Sequence, residues 1–91
     1  MKFHANAIDK AQWRQYDGQG MGIPCARCRK YLDPSTAEGK EWHAIPRIPI
    51  EKGGKKADNC VIVCPKCYIK IGQDGTKIIP LSELPYFKGR F

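Results

Sequence analysis

Carboxylates are scarce in this sequence. Nine Asp and Glu stand against 16 Lys and Arg, a formal charge of +7. Such a surplus favours a polyanionic partner, because lysines and arginines that neutralise phosphates release counterions. A basic, soluble surface with no specific partner is the plainer account of the same charge. Long apolar runs are missing too: none approaches the ~20 residues that span a bilayer. No basic-then-apolar leader with a small-residue cleavage site opens the chain. These absences lead us to expect a soluble, cytoplasmic protein with no membrane partner. Nor is there an even number of cysteines. Five thiols do not make a complete disulfide framework, and two C-x-x-C pairs without a leader favour a metal over disulfides.

What is present fits a metal. Ninety-one residues make one small domain, which buries only roughly 60–65% of its unfolded surface. Small domains offset such a marginal core with disulfides or a structural ion. Cys25 and Cys28 form one pair, Cys64 and Cys67 the other. Two residues between cysteines let both sulfurs of a knuckle face one tetrahedral ion, so these four are the expected ligands of a structural Zn2+. Iron would accept the same thiolate set. The 35 residues between the pairs exceed the usual ribbon spacing of about 15–20 and must form a folded insert. Cys60 is left over. It reads as a buried free thiol, with replacement of one of the four ligands as the rival role.

Along the chain, residues 1–24 read as an N-terminal arm or short helix. Asp9 with Gln12 resembles a weak capping box, and Gly18 would end the helix. A loosely packed arm with Trp13 docked on the domain is the other reading. Gly18, Gly20 and Gly22 make a flexible joint before Pro24. Asp33-Pro34-Ser35 reads as a turn. Residues 41–50 carry Trp, His and three Ile, but Pro46 and Pro49 reduce them to an interrupted or edge strand. Residues 51–58 read as a loop built on Gly53-Gly54 and crowded by Lys52, Lys55 and Lys56. Cys60-Val-Ile-Val-Cys64 is β-branched and short, a strand. Pro65 suits the first position of a helix that Gly72 would stop. Residues 73–91 are expected to hold a turn at Asp74-Gly75, a last short strand at Lys77-Ile78-Ile79 and an aromatic, basic tail, packed or mobile.

Several of these features occur together in order: Cys25 and Cys28, then His43-Ala-Ile-Pro46, Gly53-Gly54, Asn59, Cys64-Pro-Lys-Cys67 and Lys70. The pattern, over roughly residues 25–72, resembles the HNH endonuclease family. Its ββα-metal core is a hairpin and one helix around a catalytic ion, often stapled by a four-cysteine zinc. The resemblance implies a small α+β zinc domain. It implies His43 as general base, taking a proton from the attacking water, and Asn59 as the residue that holds the loop and orients the histidine. Imidazole suits that work, and a divalent ion such as Mg2+ stabilises the leaving oxygen. The chain departs from the family at the ion's ligands. Trp42 stands immediately before the base and Tyr68 immediately after the last cysteine, and neither replaces a carboxylate or imidazole on a hard cation. Glu41 would face the other side of the strand unless a bulge re-aimed it. His4 lies in the arm, with nothing to place it.

Three functions follow as expectations. The first is an HNH-like module that binds nucleic acid, DNA in the first instance, with nuclease activity lost or weak. Arg27, Arg29, Lys30, Lys55, Lys56, Lys66 and Lys70 would meet its phosphates. The second is a working metal-dependent nuclease with His43 and Asn59 in their family roles and Glu41 or a water shell holding the ion. The third is a zinc scaffold for protein contacts. For His43 the plainer role is a partly buried histidine hydrogen-bonded across the hairpin. For Trp42 and Tyr68 it is packing, the alternative being an aromatic surface for bases.

Overall fold

A computed structural model of the chain describes residues 3–18, 22–71 and 78–88. Gly20, Gly72, the Asp74-Gly75 turn and Lys77 of the expected last strand lie outside the described residues. The described part is a small α+β fold with two antiparallel sheets of two strands each and three α-helices. No helix among the described residues is long and apolar enough to cross a membrane.

The central element is a ribbon of β3 (His43–Pro46) and β4 (Cys60–Val63). His43 opposes Val63, Ala44 opposes Ile62, Ile45 opposes Val61 and Pro46 opposes Cys60. All four residues of β4 are buried, as a β-branched run enclosed on both faces should be. β4 runs through Cys64 into the helix Pro65–Ile71, with proline at the first position, where its missing N–H leaves no bond unmade. The prolines do shorten the first strand, which ends at Pro46.

The smaller sheet pairs β1 (Ile23–Pro24) with β2 (Tyr31–Leu32) around the Cys25–Cys28 knuckle. Arg29 closes that knuckle with φ +66°. A side chain in this left-handed region is strained by roughly 1–3 kcal/mol, and glycine would occupy it freely. The Arg29 guanidinium lies 3.5 Å from an Asp17 carboxylate oxygen and 5.8 Å from the centroid of the Tyr86 ring.

The structure corrects three local expectations. Helix α1 runs Ala5–Gln15 with His4 as its cap residue and no side-chain cap bond. Asp9 and Gln12 therefore lie inside the helix and form no capping box. Phe3 is buried and occupies the staple position ahead of the cap, with Ile8, which packs against the core, at the matching N4 position. Trp13 is not docked: it is 66% exposed, while Gln12 and Gln15 are buried. The segment 51–58 is not plain loop. Pro49, its φ already near the helical value, leads into a one-turn helix α2 (Ile50–Gly53), and a 3-10 turn follows at Ala57–Asn59.

The last described segment packs. Ile78 and Ile79 form no strand, but the Ile79 amide donates to the Arg47 carbonyl at 2.9 Å. A 3-10 turn at Leu81–Glu83 then turns Leu84 into the core. The Tyr86 amide returns to the Ala26 carbonyl at 3.0 Å.

Candidate metal centre and its surroundings

The fold brings Cys25, Cys28, Cys64 and Cys67 together. Their four sulfurs lie within 4.8 Å of one another, and those of Cys28 and Cys64 are 3.6 Å apart. A zinc tetrahedron with Zn–S of about 2.3 Å has sulfur–sulfur edges of about 3.8 Å, so the cluster matches one to within an ångström. The surrounding amides also suit thiolates. The Arg27 amide donates to Cys25 Sγ at 3.4 Å, the Cys64 amide to the same sulfur at 3.3 Å, and the Cys67 amide to Cys64 Sγ at 3.4 Å. Arg27 adds a positive charge from outside. Its Nη1 stands 3.9 Å from Cys67 Sγ while its Nε donates to Glu83 at 3.2 Å. A soft, four-sulfur set of this size can hold one metal ion and is chemically suited to zinc. Cys28 is the exposed member; the other three are buried.

Proton affinities within the cluster are uneven. Burial pushes Cys25 up and Cys67 up to about 12. Burial acts the same way on Cys64. There, however, the Cys67 amide and the neighbouring thiols outweigh it and draw the group down to about 7. An arriving cation therefore meets a thiolate most readily at Cys64 and must displace protons from Cys25 and Cys67.

Cys60 is buried and stands outside the four-sulfur group. Burial, with a smaller push from Glu38, raises its thiol to about 12. It is the free, inert thiol that its place in an apolar strand suggests.

At the other end of the ribbon, Asn59 is fully buried and fastens the loop. Its Oδ1 accepts from the Ile48 amide at 2.8 Å; its Nδ2 donates to the carbonyls of Ile48 at 2.7 Å and Gly54 at 2.9 Å. The Gly53-Gly54 pair is needed here for two separate reasons. Gly54 has φ +78°, and a Cβ on Gly53 would meet Asn59 Nδ2 at 2.6 Å.

His43 is half-buried, and its ring stacks on Tyr68 with centroids 3.9 Å apart and planes 6° from parallel. This contact takes the place of the expected hydrogen bond across the hairpin. Asn59 makes its contacts at Ile48 and Gly54 and none with His43. Trp42 is a core residue, 5% exposed, with its indole N–H donating to the Thr36 carbonyl at 3.0 Å. Glu41 is exposed and precedes β3; His4 is the cap residue of α1. The only group of three or more metal-ligating side chains among the described residues is the four-cysteine one.

The seven basic residues divide. Arg27 is engaged with Glu83 and the Cys67 sulfur, and Arg29 with Asp17. Lys30, Lys55, Lys56, Lys66 and Lys70 are exposed and form no ion pair among the described residues.

Two structural side chains carry no signal in the sequence. Gln15 Oε1 accepts from the Ile62 amide at 2.9 Å, and its Nε2 donates to the carbonyls of Ile62 at 3.1 Å and Pro24 at 3.0 Å. Glu38 accepts from the Ala44 amide at 3.1 Å. Both act on strand groups that the β3–β4 ladder leaves unused.

Compared with known proteins, the chain matches no family model, no curated protein and no solved structure.

Proposed function

We propose that this is a zinc-stapled, HNH-like domain that binds nucleic acid, DNA in the first instance, and has little or no nuclease activity. The observation that carries the reading is the His43–Tyr68 stack. On the HNH plan an ion would sit beside His43, held in part by the residue after the last cysteine. Here that residue is a tyrosine lying flat on the imidazole. The rest of the plan supports the kinship: thiols at one end of the ribbon, the buried Asn59 and its glycines at the other, and a helix opening at Pro65. The zinc is structural, holding the knuckle to the start of α3 (Pro65–Ile71). Binding falls to the exposed lysines. Five of them, free of ion pairs among the described residues, can replace counterions on a phosphate backbone.

The test joins metal analysis, binding and cleavage on the purified chain. One zinc per chain is expected. Affinity for a labelled DNA duplex should fall with added salt, with a log–log slope of about −4 to −5 if all five lysines engage. No binding even at low salt would shift the assignment to a protein-contact scaffold. Plasmid nicking with Mg2+ that disappears in His43→Ala would overturn the non-catalytic half and restore the histidine as a base.

A further inference from the structure

Helix α1 turns Ala11, Gln12 and Gln15 inward and holds Trp13 66% exposed. The cause is Gln15, whose amide makes three buried hydrogen bonds to Ile62 and Pro24. Once Gln15 faces β4, Trp13 sits about 200° away around the helix. A domain of 91 residues has little apolar surface to spare for its core, yet this indole stays in water, touched edge-on by Tyr16 at 5.9 Å.

Exposed charges of both signs, Asp9 and Lys10, stand one turn before the ring. Arg14, on the next flank of the helix, pairs with Asp58, and α1 packs against the 3-10 turn Ala57–Asn59. The exposed Lys55 and Lys56 immediately precede that turn in the chain. Asp9 is the helix's one carboxylate.

From this arrangement we propose that Trp13 is a stacking platform for an unpaired base, so that the preferred ligand is single-stranded nucleic acid. Its phosphates run over Lys10, Lys55 and Lys56. Bases within a duplex already cover one another's faces, whereas an unpaired base offers its whole face to an aromatic side chain. A duplex would meet the lysines without using the indole. This inference rests on the nucleic-acid reading above and adds strandedness and a contact residue outside the HNH-like core.

The experiment uses the full, metal-loaded chain with oligo-dT and with a DNA duplex of equal length. Trp42, in the core, supplies an emission that a ligand does not reach, so the Trp13→Phe variant gives the background. Oligo-dT is expected to quench the wild-type emission. It should bind Trp13→Ala on the order of 10-fold or more weakly, while duplex affinity and zinc content stay unchanged. Trp13→Phe should retain part of the lost affinity. If oligo-dT binds Trp13→Ala as tightly as wild type and quenches neither protein, the platform is wrong and the nucleic-acid reading survives. Should neither oligo-dT nor duplex bind at low salt, both fail together.

Discussion

The two ends of β4 are anchored by different chemistry. At its C-terminal end, Cys64 joins three other sulfurs packed within 4.8 Å, an arrangement that needs a cation to bridge it. At its N-terminal end, the Asn59 amide makes three hydrogen bonds of 2.7–2.9 Å with the loop that follows β3 and needs nothing from outside. One short strand thus carries a conditional anchor and an unconditional one. The conditional anchor also draws in the tail, because Arg27 spans Cys67 and Glu83. The unconditional anchor is local, confined to Ile48–Gly54.

The contrast breaks most sharply if the metal is removed. A chelator, or Cys64→Ser, should unfold the domain, since a four-thiolate zinc contributes on the order of 10 kcal/mol of apparent folding free energy. A melting curve unmoved by the chelator would place the sulfur end on the same footing as the amide end. Acidification should act in the same direction, because protons compete with the ion for thiolates. Zinc release followed with a chromophoric chelator should rise as pH falls.

A smaller loss is expected from Asn59→Ala, about 2–4 kcal/mol, as it strands buried backbone groups at Ile48 and Gly54. Gly53→Ala should act alike by colliding with the Asn59 amide. In both variants the Ile48 amide should exchange faster while bound zinc stays at one per chain. Zinc lost in step with exchange would mean that the two ends are a single unit.

The smallest effect belongs to Cys60→Ala, about 1 kcal/mol from a small cavity, again with zinc unchanged. The wild-type thiol gives this comparison a pH signature. Burial raises its pKa from 9.0 to about 12, so the folded state favours the neutral form. That contribution is complete below pH 9 and is lost as pH climbs toward 12. The alanine variant should lack this component of alkaline destabilisation in pH-dependent melting. If Cys60→Ala instead halved the bound zinc, the leftover thiol would be a ligand after all.

Much of this contrast was legible in the residues. Paired cysteines at knuckle spacing, a Cys-Val-Ile-Val run and a proline at a helix start are local signals, and each element formed where those signals lie. The Gly-Gly pair announced an unusual loop, though not that one glycine serves a dihedral and the other makes room for an amide. What local pattern could not convey was which face of α1 turns inward. Its bulky apolar residues make a poor helical stripe, and three buried hydrogen bonds to groups on other elements fix Gln15 inward. The Asp9–Gln12 capping pattern misled for a related reason. Phe3 is buried ahead of it, and the helix had already begun at Ala5. The partner of His43 was equally illegible, since a stack between a strand and a helix depends on how the two are docked.

Gln15 and Glu38 close the ribbon from opposite sides. Midway along it, the outward N–H and C=O of Ile62 are taken by a glutamine amide and the Ala26 N–H, and the outward N–H of Ala44 by a carboxylate. An extended segment arriving on either flank would have to evict a side chain before it could dock. So small a sheet is normally an inviting template for a third strand or for another molecule's. This one is finished at two.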